Sequence, residues 1–273
     1  EIDEGDPFNE ILQNKSVNNL KSLNYFKSVS SQITDGENPT SKIINITVEE
    51  KPTGEISAGA GFGTSGGTFV FGVKENNYLG KGLGIDVNLT VNAESLKGSF
   101  GVENPNFNNS DKSLFANVQA IEIDRMTTNG YKTNKTGFEF GTRFEYYQDF
   151  NLGLSSRSFY EKIETDSTAS SRQQSQEGNY WDTFVNTRFD YDKRNQKFKP
   201  DAGFRSIYTL DLPVISETYT FTNSYSYQKY SSFYDNNISS LGFYIESANS
   251  LKGDDIKLTE RLFIPSRKLR GFE

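Results

Sequence analysis

From Gly54 onward, apolar and polar residues alternate position by position, and the alternation returns in segment after segment. In LGIDVNLTVNA (83–93), Leu83, Ile85, Val87, Leu89, Val91 and Ala93 fall on one side, and Gly84, Asp86, Asn88, Thr90 and Asn92 on the other. A period of two sends successive side chains to opposite faces of a strand, so this segment predicts a β-strand with one face buried. GEISAGAGFG (54–63) places Ile56, Ala58, Ala60 and Phe62 opposite Glu55, Ser57, Gly59 and Gly61. TFVFGVK (68–74) aligns Phe69, Phe71 and Val73, and LKGSFGVE (96–103) aligns Leu96, Phe100 and Val102. Further segments at 113–123, 136–147, 150–160, 180–191, 203–212, 218–230 and 238–248 bring the total to roughly eleven strand candidates, many about 8–13 residues long.

One face of these segments carries charge. In GFEFGTRFEY (137–146), Phe138, Phe140, Phe144 and Tyr146 oppose Glu139, Arg143 and Glu145. In WDTFVNTRFDYD (181–192), Asp182, Asn186, Arg188, Asp190 and Asp192 share one side. Charges repeated along a face need water there, and the opposite face needs lipid or a second sheet. Strands of about 9–11 residues, apolar outside and polar inside, are the signature of an outer-membrane barrel. The connections alternate too: TSGG and QDFN are short, whereas ETDSTASSRQQSQEGN (164–179) is long and polar, as an extracellular loop would be. Tyr78, Phe107, Tyr131, Tyr147, Phe150, Tyr180 and Trp181 near strand ends fit aromatic girdles. The alternation by itself leaves a two-sided soluble β-sheet protein open.

The first fifty residues follow another pattern. Phe8, Ile11, Leu12, Val17, Leu20 and Leu23 recur at helical spacing, predicting a helix over 7–24 entered through Asp6 and Pro7. YFKSVSSQIT (25–34) and KIINITVEE (42–50) alternate like strands around the turn residues DGENPTS (35–41). Ile44, Ile46 and Val48 form the more apolar face of the second strand. Helix–strand–strand is too small to be a complete domain.

Composition narrows the class. Hydrophobic residues are 34% of the chain, yet aromatics reach 14% and glycine contributes 23 residues; mean hydropathy is −0.67. That mixture suits many half-polar strands, and no apolar run approaches the ~20 residues of a transmembrane helix. Cysteine and histidine are absent, which removes thiol chemistry, the commonest metal ligand and the commonest general base. No cofactor and no metal site is expected. A net charge of −7 argues against nucleic acid as a partner. The sequence opens at Glu1 without an initiator Met or a leader, and it reads as an excerpt of a longer precursor.

Several motifs carry a resemblance in chain order. VEEKPTGEISAGAGFGTSGG (48–67) resembles the junction between the last periplasmic POTRA domain and the barrel in the BamA family of outer-membrane assembly proteins. EGDPFN (4–9) and LNYFKSV (23–29) are similar to the helix and following strand of a POTRA domain, whose first strand and most of whose first helix are missing here. GVKENNYLGKG (72–82) resembles the family's second strand and turn, FDYDKRNQKFKPDAGFR (189–205) its Asp-x-Arg-Asn and Pro-x-x-Gly step, and LRGFE (269–273) its Arg-Gly-Phe loop after the eleventh strand.

The resemblance implies a fold and a division of the chain. Residues 1–52 would be the C-terminal part of the last, truncated α+β POTRA domain, and 53–273 the first eleven or so strands of a sixteen-stranded antiparallel transmembrane β-barrel, ending in the Arg-Gly-Phe loop. It also implies a function without covalent chemistry: folding and insertion of β-barrel proteins into the outer membrane, as the core subunit of the assembly machinery. The implied partners are nascent outer-membrane proteins, accessory lipoproteins of the machinery and outer-membrane lipid. The barrel would lie in the outer membrane and the POTRA part in the periplasm.

Two sets of site residues follow. The first long strand, Ile56, Ser57, Ala58, Gly59, Ala60, Gly61, Phe62 and Gly63, would form a lateral gate that pairs transiently with a client strand. Its glycines and alanines give thin packing, although tight curvature or a bulge also uses glycine. Arg270, Gly271 and Phe272 would fold into the lumen as a plug; without the resemblance, Arg267, Lys268 and Arg270 read as a solvated basic loop. The competing readings are a related translocator that secretes a partner protein and a passive porin-like channel. An enzyme is the weakest, with no nucleophile or acid–base constellation in view.

Overall fold

The computed structural model describes residues 4–262 except 24, 37, 39–40, 64–65, 197–198 and 235–236. Helix α1 spans Glu10–Ser22 and is followed by an antiparallel pair, β1 (Phe26–Asp35) and β2 (Lys42–Glu50). The helix starts three residues later than the sequence predicts. Asn9, not Asp6, is its cap: its side chain accepts from the backbone of Ile11 at 2.9 Å and of Leu12 at 3.2 Å. Both residues are competent caps, and the one adjoining the first turn satisfies the orphan amides. Val17 is buried and Gln13 donates to Ser31 Oγ at 2.6 Å, so the helix lies on β1. Ile33, Ile43, Ile46 and Val48 stay exposed, leaving this module little core of its own.

The remainder is one sheet of eleven strands in chain order, every neighbouring pair antiparallel. The strands are β3 (Gly54–Gly63), β4 (Gly66–Tyr78), β5 (Leu83–Asn92), β6 (Ser95–Asn104), β7 (Lys112–Arg125), β8 (Tyr131–Tyr147), β9 (Phe150–Thr165), β10 (Gly178–Asp192), β11 (Gly203–Ile215), β12 (Thr220–Tyr234) and β13 (Asn237–Ser250). Register keeps the two faces distinct across strands. Ile56, Val73, Val87, Phe100, Val118 and Phe138 are successive Cα partners and form one apolar row. One residue along, Lys74, Asp86, Gly101, Asn117, Glu139 and Arg157 form a row on the opposite face. The apolar row is uncovered, with Ile56, Phe100, Val118 and Phe138 all exposed. An apolar surface of that extent marks contact with lipid or protein. Among the described residues, no helix is long and apolar enough to cross a membrane.

Strands β8 and β9 each run five residues further than the alternation suggests, pairing Thr133 with Ile163 and Lys135 with Glu161. The long polar connection shrinks to 166–177 and contains a short helix, α2, at Ser171–Gln174, capped by Ser170 and Gln173 in a reciprocal box. At the opposite rim, the turn after β10 is fastened by Asn195, whose side-chain oxygen accepts from the backbone of Asp201 and Ala202. Gly203 closes that turn at φ +92°, where a Cβ would sit 2.1 Å from the Lys193 carbonyl. No larger residue fits there.

Candidate functional site

Strand β3 is an end strand of the sheet: it pairs with β4 and with no other strand among the described residues. Strand β13 ends the sheet on the other side. Ile56, Ala58, Ala60 and Phe62 point to the apolar face, Ser57, Gly59, Gly61 and Gly63 to the polar one. The whole run from Gly54 to Phe62 is exposed, with Phe62 at 95% and Ile56 at 75%. A Cβ built on Gly59 or Gly61 would meet nothing within 4 Å, so no neighbour forces glycine there. Close approach does operate at the facing residue of β4: a Cβ on Gly72 would lie 2.7 Å from Ser57 Oγ.

An antiparallel edge directs every second residue's N–H and C=O away from its partner. The ten residues of β3 thus offer a row of free backbone groups flanked by small side chains. Cross-strand side-chain pairs supply roughly 0.2–1 kcal/mol each, and glycine and alanine supply least. A partner strand laid on this edge would be held mainly by backbone hydrogen bonds, with little side-chain packing to resist its release.

The polar face is a lattice of ion pairs. Arg205 holds Asp190 through two hydrogen bonds of 2.8 and 2.6 Å, and Arg188 reaches the same carboxylate at 3.2 Å. Arg194 grips Asp192 at 2.8 and 2.6 Å. Asp211 takes Arg157, Asn186 at 2.7 Å and Thr222 at 3.3 Å. Nearer β3, a cavity of about 400 Å³ opens on this face among Lys74, Asp86, Glu103, Asn117, Glu139 and Arg143. Among the described residues, no group of three acidic, histidine or cysteine side chains converges to hold a metal ion.

At the rim carrying 166–177, the polar face is covered. Residues 255–258, in the segment that follows β13, lie against β9, β10 and the connection between them. Lys257 is 1% exposed; its ammonium donates to Asp182 and lies 3.0 Å from Glu161 and 3.4 Å from Glu260. Burial pushes this lysine's pKa down, but the fields of Glu161, Glu260 and Asp182 outweigh it and hold the group above its ordinary value. Gln176 clamps the same segment with both ends of its amide, donating to the Ile256 carbonyl at 3.3 Å and accepting from the Leu258 amide at 2.8 Å. Arg172 pairs with Asp255 through two hydrogen bonds. Phe159, Ile163 and Phe184 are buried beneath. Of this group the alternation singled out only Asp182; Lys257, Glu161 and Gln176 carry no periodic signal. Arg270, Gly271 and Phe272, with Arg267 and Lys268, lie outside the described residues.

An all-antiparallel meander with one apolar and one charged face and a small helix–strand–strand module ahead of it defines the class. A family model, the Omp85 superfamily domain, matches residues 77–273, and the chain belongs to that superfamily. A Treponema pallidum (strain Nichols) protein described as an outer membrane protein assembly factor is 34% identical over 97 residues, which are 33% of this chain and 12% of that one. The fold matches the crystal structure of BamA from Haemophilus ducreyi lacking POTRA domains 1–3, with a TM-score of 0.71, 17% identity, and coverage of 95% of this chain and 53% of that one. CdiB from Acinetobacter baumannii matches with a TM-score of 0.56 at 10% identity, over 93% of this chain and 49% of that one. The chain therefore spans about half the length of the solved structures it resembles.

Proposed function

We propose that this chain belongs to a protein that folds and inserts β-barrel proteins into the outer membrane, and that β3 is the templating strand of its lateral gate. Residues 1–52 are read as the end of the last POTRA domain, and 53–273 as the first eleven strands of a sixteen-stranded barrel. The apolar face then meets lipid, the ion-paired face lines a wet lumen, and the rim with 166–177 and 251–262 faces outside the cell.

The single observation that carries this reading is the thin packing of β3, a strand of small residues placed immediately after the small module and at the end of the sheet among the described residues. A client strand entering lipid exposes N–H and C=O groups, each costing several kcal/mol without a partner. An edge that pairs with them removes that cost during insertion. An edge is normally guarded against such pairing by charge or bulges; here Ile56, Ala58, Gly59, Ala60, Gly61 and Phe62 bring neither. Weak side-chain packing lets the client leave once its own strands close. Nascent outer-membrane proteins, accessory lipoproteins and lipid are the partners of this reading, and Arg270, Gly271 and Phe272 belong to a lumenal plug.

The rival reading is a related translocator that exports a partner protein, which the same antiparallel wall with a small module ahead of it would serve. One experiment separates the two. In the full-length protein, Ser57→Cys is paired with a cysteine facing it on the closing strand, and the seam is locked by oxidation. Templating predicts that locking blocks assembly of a client porin and that reduction restores it. Undiminished assembly in the locked protein removes β3 from the mechanism.

A further inference from the structure

We propose that Lys257 is the anchor that holds the segment after β13 as a strap across the mouth of the polar face. The inference rests on reading that face as the lumen. Strand β13 ends at Ser250, but Lys257 is bound to β9 and β10, four and three strands away in the sheet. At about 4.8 Å per strand, that is roughly 14–19 Å sideways. The seven residues from Ser250 to Lys257 span at most about 25 Å when fully extended. The segment cannot be a local turn; it crosses over β12 and β11 with little slack.

It is stitched to what it crosses. Lys252 lies 3.8 Å above the ring of Tyr219, in the β11–β12 connection, and Thr218 donates to Glu260 at 3.4 Å. Asp255 and Ile256 are held by Arg172 and Gln176 of the 166–177 connection. Lys257 is the buried member. Its ammonium is enclosed by Glu161 of β9, Asp182 of β10 and Glu260 of its own segment, and it stands 4.7 Å from the Tyr180 ring centroid. Lys135 of β8 packs on Phe159 beside the same carboxylates. Without Lys257, three carboxylates face one lysine in a site closed to solvent. Such a site opens rather than remain unpaired. Several acceptor atoms there, both Glu161 oxygens and Asp182 Oδ1 among them, have no hydrogen bond of their own, so the ammonium's charge is what holds the site shut.

The test uses the full-length protein in outer-membrane vesicles, with added proteinase K and the rate of cleavage within 251–262 as readout. Lys257→Met should raise that rate about ten-fold or more while the heat resistance of the barrel stays unchanged. Lys257→Arg should stay protected, and the charge swap Lys257→Glu with Glu161→Lys should regain most of the protection. If Lys257→Met does not fold, the Arg and swap variants decide. Wild-type cleavage in Lys257→Met, or an unprotected swap, overturns the anchor. The assay uses no client, so it fails separately from strand templating.

Discussion

Arginine at position 87 and arginine at position 88 should differ sharply in cost. Val87 is the fifth of the ten residues of β5, in the apolar row between Val73 and Phe100. Ten residues at about 3.4 Å make a strand of about 34 Å, which a tilt near 40° reduces to the ~25 Å height of a barrel's lipid-facing band. Val87 therefore sits near mid-depth, where arginine costs about 2–4 kcal/mol. The Ile56-to-Phe138 row offers it no carboxylate. Asn88 is one residue on, facing the opposite way, and its amide already donates to Asp86. An arginine there keeps an acidic neighbour in water and should change stability by no more than about 1 kcal/mol. The two variants should thus differ by about 0.7 to 3 orders of magnitude in their folding equilibrium. Urea titration of the full-length protein refolding into phosphatidylcholine vesicles, scored by gel mobility of unheated samples, measures it. Equal losses, or a larger loss at Asn88, would refute the assignment of lipid to this face and restore a sheet wetted on both sides.

Glycine at 137 and glycine at 98 should behave oppositely. A Cβ on Gly137 would lie 2.3 Å from the Ser158 carbonyl and from the Phe159 ring, whereas on Gly98 it would meet nothing within 4 Å. In the same titration Gly137→Ala should lose about 1–3 kcal/mol and Gly98→Ala less than about 0.5. The Asp255 carboxyl, hydrogen-bonded by Arg172, is held below the ordinary aspartate range. A depressed carboxylate stabilises the fold above its unfolded pKa, and that contribution is lost as pH falls through the folded value. A carbon-13 titration of Asp255 should therefore have its midpoint below the ordinary value, and Arg172→Ala should bring it back up.

How legible the fold is in the sequence depends on how many residues share one environment. In β5 every position from Leu83 to Asn92 obeys the alternation, because each side chain meets either the apolar or the wet side and nothing else. The end of β9 does not: Glu161, Lys162 and Glu164 put charge on both faces, so the alternation ends at 160 while the strand runs to Thr165. It continues because Glu161 is met by Lys257, a contact no window of neighbouring residues contains. The start of α1 was misplaced for a milder reason, two caps three residues apart. The edge at β3 could be anticipated from its glycines and alanines and from its place beside the first module. The strap could not: Asp-Asp-Ile-Lys-Leu-Thr-Glu (254–260) has no period, and its meaning lies in strands folded long before it.

The strict chain order of the sheet has a kinetic consequence. Each strand from β4 to β13 pairs with its immediate predecessor, so the wall can be laid down by successive hairpins with no crossing step. What such growth never fills is the side of β3 that faces away from β4. A barrel closes only when its last strand arrives there. On the templating reading proposed above, self-closure and client capture would be rival claims on that edge. A tethered closing strand would compete at the millimolar effective concentration typical of a linked partner, so a client would have to arrive where that rival is weakly held. Enriching the first strand in larger side chains would tip the contest toward the tether, giving a sturdier barrel that turns clients away.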